Sequence, residues 1–114
     1  MRFLMKVLLP VEVSNAAVKD GSLPKTIQSI LADLKPEAAY FLDQDGKRSG
    51  LIFVNMQDSS QIPAIAEPWF LAFNASVEIH PVMNAEDLAR AVPAIEQTVK
   101  KYGSKALKEV AGAS

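Results

Sequence analysis

Along Arg2 to Leu9 the side chains alternate with a period of two, which predicts a strand that Pro10 ends. Phe3, Met5, Val7 and Leu9 make one wholly apolar face, and Arg2, Leu4, Lys6 and Leu8 make a mixed one. Past Pro10 the period lengthens. Ser14 or Asn15 is expected to cap a short helical turn closed by Gly21, and Ser22 a longer helix with Pro24 in its tolerant first turn. Ile27, Ile30, Leu31 and Leu34 stand at i, i+3, i+4 and i+7, one stripe of that helix, before Pro36 forces an exit. Two strands follow, Ala38 to Leu42 and Ser49 to Met56, joined through Asp43, Gln44, Asp45 and Gly46, where the Asp-Gly step signals a hairpin.

From Gln61 to Phe73 the pattern is helical again, with Ser59 or Ser60 as cap, Pro63 in the first turn and Ile62, Ile65, Trp69 and Phe73 along one side. Pro68 is expected to kink or restart this helix, because it removes a backbone donor and crowds the preceding turn. A fourth strand runs from Ser76 to Val82. Asn84 with Asp87 three positions on then reads as a capping box, and Leu88, Val92, Ile95, Val99 and Tyr102 form an apolar stripe expected to face the sheet. Pro93 is expected to divide or bend that helix and Gly103 to stop it. Residues 1–103 therefore read as one domain, followed by a tail over 104–114.

The order strand, helix, strand, strand, helix, strand, helix is the α+β, ferredoxin-like βαββαβ pattern with an added C-terminal helix. Right-handed crossovers place the first strand beside the third in the middle of a four-stranded antiparallel sheet, with the second and fourth at its edges. Pro81 agrees with an edge, where a missing ladder donor does least harm.

Composition narrows the partners. The chain has 114 residues, 49% of them hydrophobic and 22% charged, which is ordinary for one soluble domain. Its net charge of −1 sets up no positive field, so nucleic acid and anionic membrane are not expected partners. Without cysteine, and with a single histidine, neither a thiol nucleophile nor a metal site is expected. The apolar N-terminal run is interrupted by Lys6, Pro10 and Glu12, unlike an export signal, whose apolar core runs for about 7 to 15 residues. No run approaches the roughly 20 residues of a membrane span. The cytoplasm is the expected compartment.

Helices on one side of the sheet leave its other side bare. Yet Leu51 and Phe53 point one way and Ile52, Val54 and Met56 the other, so both faces are apolar. Leu4, Leu8, Tyr40 and Leu42 extend the bare side. Leaving roughly five such side chains wet would forgo about 8 to 15 kcal/mol of burial, as much as the stability of a whole domain. A homodimer joining the two open faces about a two-fold axis is the expected solution.

Strand alternation also sends Ser76, Glu78 and His80 to that bare side, where Lys6 and Arg2 project from the first strand. In a functional reading His80 moves a proton, Glu78 orients it and Lys6 holds a developing anion. In the plainer reading Glu78 and Lys6 make a cross-strand ion pair and His80 satisfies a hydrogen bond. Trp69, with Phe70 or Phe73 beside it, either walls a ligand pocket or packs in the core, and its helical spacing suits the core. Tyr40 and Asn55 are further candidate ligand contacts. The chain lacks a glycine-rich phosphate loop and a GxSxG elbow.

The element order, the stretch AEPWFLAFN and the terminal VEIHPVM resemble the dimeric α/β-barrel superfamily, over Arg2 to Tyr102. That group includes proteins similar to antibiotic-biosynthesis monooxygenases and muconolactone isomerases, and pairs two ferredoxin-like sheets face to face. The resemblance implies a dimeric barrel; with no cofactor expected, its cavity is read as enclosing a small apolar or aromatic molecule, with Lys6, Tyr40, Glu78 and His80 as the few polar contacts. It equally admits a cofactor-independent oxygenase or isomerase with His80 as acid or base, or a module whose open sheet meets another protein. Fold alone does not choose among these.

Overall fold

The structure, a computed structural model, describes residues 1–103; the tail expected over 104–114 lies outside the described residues. It holds four strands, β1 (Arg2–Leu8), β2 (Ala38–Gln44), β3 (Lys47–Asn55) and β4 (Ser76–Pro81), and four α-helices, α1 (Val11–Lys19), α2 (Ser22–Leu34), α3 (Ile62–Phe73) and α4 (Ala85–Thr98). All neighbouring strands are antiparallel, in the order β2-β3-β1-β4, an α+β arrangement consistent with the ferredoxin-like pattern. β4 is an edge, and Pro81 ends it opposite Phe3. Two compact units emerge, Met1–Val82 and a second beginning at Met83.

In the first unit, alternation along β1 and β3 decides the layers. Met5, Val7, Leu9, Ile52, Val54 and Met56 are buried with Ile30 of α2 and Ile65, Trp69 and Phe73 of α3, and Val13 and Ala17 of α1 pack against the same cluster. Each large apolar side chain withdrawn from water here contributes about 1.5 to 3 kcal/mol. Helices α1, α2 and α3 thus share one side of the sheet. Leu4, Lys6, Leu8, Leu51, Phe53, Tyr40 and Leu42 occupy the other side and belong to no part of this core.

Several boundaries differ from the expected ones. α1 starts at Val11, not at a Ser14 or Asn15 cap: Pro10 takes the N-cap position at φ −59°, and Glu12 complements the positive end of the first turn. Ser14 is instead buried inside the helix. The β2–β3 hairpin runs farther than the sequence suggests, because Asp45 (φ +53°) and Gly46 (φ +73°) alone make the turn and let Gln44 pair with Lys47. Asp58, rather than Ser59 or Ser60, caps the 3₁₀ turn Ser59–Gln61 that leads into α3, in a reciprocal box with Gln61. α3 passes through Pro68 without interruption. The proline takes the bonding partner from the Ala64 carbonyl, but Ile65, Trp69 and Phe73 anchor the helix on both sides of that gap.

The second unit is α4 continued by a wider turn over Val99–Gly103. Asn84 and Asp87 cap each other's backbone as expected, and Pro93 neither divides nor ends the helix. Its stripe of Leu88, Val92, Ile95, Val99 and Tyr102 is 41 to 59% exposed, where the sequence pattern predicts burial. Local interactions hold this helix: the capping box, the Arg90–Asp87 ion pair and the Thr98 hydroxyl donating to the Ala94 carbonyl. Among the described residues no helix is long and apolar enough to cross a membrane.

The hairpin turn supplies a test of this backbone. A side chain at Gly46 would meet nothing within 4 Å, so only its left-handed φ opposes substitution. Gly46→Val is expected to lower stability by about 1 to 2 kcal/mol in urea denaturation with an unchanged slope. A neutral outcome would mean that the turn is not of this type.

Candidate functional site

The bare side of the sheet gathers most of the residues singled out from the sequence. The register opposes Lys6 to Glu78 and Leu4 to His80. His80 Nε2 lies 3.1 Å from Glu78 Oε2, with the two side chains 54% and 64% exposed. This hydrogen bond, and next the charge of Lys6, hold the Glu78 carboxyl below the ordinary glutamate range. Lys6, Glu78 and His80 are therefore one cluster. The hollow beside it, bounded by Lys6, Leu8, Ser76 and Glu78, measures about 90 Å³. That is room for about three waters and not for a ligand.

Other candidates on this side already have protein partners. Arg2 Nε donates to Glu37 Oε2 at 2.7 Å. Asn55 Oδ1 accepts from the Met1 nitrogen at 2.9 Å. Tyr40, 62% exposed, meets the Phe53 ring edge-on with centroids 6.5 Å apart.

Trp69 is not among them. At 1% exposure it sits on the helix side, packed against Phe73 with ring centroids 6.3 Å apart. There it walls a cavity of about 580 Å³ between the sheet, α2 and α3. Leu23, Ile27 and Leu31 of α2, Phe41 of β2 and Val7 and Leu9 of β1 supply the rest of an almost wholly apolar lining. Trp69 thus packs in the core, as its helical spacing suggests, and borders a cavity on the side of the sheet away from Tyr40 and His80.

Gly50 explains part of this space. It stands opposite Phe41 on the helix side of the sheet, and a Cβ there would come within 3.4 Å of the Phe41 ring. A glycine inside a strand is the one sequence signal that could have pointed to the hollow. The cavity's polar edge carries Gln28 and Arg48. Arg48 Nη1 donates to Ser14 Oγ and to Asn15 Oδ1, both at 2.8 Å, and so ties the start of β3 to α1. The Ser49 hydroxyl is spent on the Val7 carbonyl at 2.8 Å. Among the described residues, the buried side-chain polar atom left without a partner is Nε1 of Trp69. No three His, Asp or Glu side chains among the described residues converge in a way that would hold a metal ion.

The Glu78 carboxyl is more acidic in the folded chain than unfolded, so its pairing stabilises the protein above the ordinary glutamate range and is lost as pH falls through the depressed value. In carboxyl-detected NMR its midpoint is expected to rise further in His80→Ala than in Lys6→Met, in the order of the two causes. A wild-type Glu78 that titrates like a free glutamate would dissolve the cluster.

No known protein-family model matches the chain, and no curated protein is significantly similar to it.

Proposed function

We propose that the protein is a small binding module that takes up an apolar or aromatic molecule in the cavity between the sheet, α2 and α3. The observation that carries this reading is the cavity itself: about 580 Å³ walled by Val7, Leu9, Leu23, Ile27, Leu31, Phe41 and Trp69. That volume lies within the range of about 300 to 1,000 Å³ typical of small-molecule sites, which are likewise mostly apolar with a few polar groups for orientation. A neutral apolar fluorophore such as N-phenyl-1-naphthylamine is expected to bind saturably, one per chain. Ile27→Trp fills the space and should weaken that binding by about tenfold or more, since losing one buried aromatic contact of roughly 1.4 kcal/mol already costs that factor. Unchanged binding in Ile27→Trp would place the probe elsewhere and overturn the reading.

The bare side of the sheet belongs to the same proposal as the contact with a second copy, closing two ferredoxin-like sheets into a barrel. Leu4, Leu8, Leu51, Phe53, Tyr40 and Leu42 supply its apolar surface. Lys6 and Glu78 put both signs of charge on one face, which suits a two-fold partner that sets each lysine against the other copy's glutamate. Sedimentation equilibrium is expected to give a dimer that Leu51→Lys splits into monomers. A wild-type monomer at micromolar concentration would hand this face to a different protein.

Acid–base catalysis by His80 is a second reading, favoured by its hydrogen bond to Glu78 with Lys6 beside it. It depends on the dimer, because the hollow beside that cluster in the single chain measures about 90 Å³.

A further inference from the structure

We infer that the molecule held in the helix-side cavity is an apolar carboxylic acid, with its carboxylate on the free edge of Arg48 and its hydrocarbon or aromatic body along α2. This deepens the cavity reading above and rests on it.

Three observations lead to an acid. First, Arg48 is exposed at the polar edge of the cavity, and its charge has no ion-pair partner among the described residues. The ion pairs among the described residues join Arg2 to Glu37, His80 to Glu78 and Arg90 to Asp87, and none involves Arg48. Asp43 stands opposite Arg48 in the β2–β3 register, yet the two form no ion pair. Second, the guanidinium is oriented but not used up. Both of its hydrogen bonds leave from Nη1, to the neutral oxygens of Ser14 and Asn15. The Nε–H and Nη2–H edge, the fork that meets a carboxylate with two parallel bonds, has no acceptor among the described residues. Ser14 is fully buried, and its own hydroxyl donates to the Val11 carbonyl at 3.2 Å, so the anchor on Nη1 is fixed before any ligand arrives.

Third, the buried polar atom of the lining that lacks a partner is also a donor. Trp69 Nε1 is buried without a partner, and such an atom costs about 1 to 3 kcal/mol unless something accepts its hydrogen. Donors left over at one end and within the wall of an apolar space call for a ligand that brings acceptors and negative charge to an apolar body. A neutral hydrocarbon would leave the exposed Arg48 fork to solvent and Trp69 Nε1 unmet, and a cation would face Arg48. A monocarboxylic acid satisfies the fork, and a ring or alkyl chain fills the surface of Leu23, Ile27, Leu31 and Phe41.

The experiment is competition against bound N-phenyl-1-naphthylamine by matched pairs, 4-phenylbutanoate with 4-phenylbutanamide and octanoate with octanamide. The acid of each pair is expected to displace the probe at a concentration at least about tenfold below its amide, one good charge-assisted contact being worth that factor. Arg48→Gln should bring the ratio to about one while leaving the amide unchanged, and Asp43→Asn should raise it. Arg48→Lys keeps the charge without the fork and should fall between, which also covers the case in which Arg48→Gln loosens α1. Equal displacement by acid and amide in the wild-type protein overturns the acid assignment and leaves the cavity reading standing. Failure of the probe itself to bind overturns the cavity reading, and the acid assignment falls with it.

Discussion

The antiparallel pairing of β1 with β3 is the constraint on which the rest of the molecule depends. Met5 against Ile52 and Phe3 against Val54 point to the helices, so Lys6 against Leu51 and Leu4 against Phe53 must point away. A slip of one residue would exchange the two sets and leave Met5 and Ile52 in water. That single register makes the core and at the same time divides the chemistry. Trp69, Phe41 and Arg48 fall on one side, and Lys6, Glu78 and His80 on the other.

The two sides follow different physical rules. On the bare side, polar groups find one another across neighbouring strands in water, where the hydrogen bond between Glu78 and His80 is screened and contributes little by itself. On the helix side the surroundings are apolar, so a buried unpaired donor such as Trp69 Nε1 has real consequences, while the exposed Arg48 at the edge still meets solvent.

Legibility in the sequence followed the range of the interaction. Element order, the edge position of Pro81, the capping pair Asn84 and Asp87, and the shared face of Lys6, Glu78 and His80 depend on spacings of a few residues, and the structure has them as read. Pro68 was expected to kink or restart one helix and Pro93 to divide or bend another; neither interrupts its helix, where the surrounding contacts or caps outweigh one lost hydrogen bond. The cavity was not legible, since it is assembled from β1, α2, β2, β3 and α3, which meet only in the folded chain. Arg48 escaped notice for the same reason: its partners Ser14 and Asn15 lie 34 and 33 residues earlier.

The central place of β1 also bears on how the chain is made. Met5 waits for Ile52 on one edge and for Ile79 on the other, 52 − 5 = 47 and 79 − 5 = 74 residues later. At a synthesis rate of about 5 to 20 residues per second, the second edge stays open for roughly 4 to 15 s. Throughout that interval the emerging polypeptide displays an apolar ribbon with unpaired amides, open to other nascent chains as well as to its own later strands. The strand that organises the finished protein is, during translation, among the last to have both edges covered.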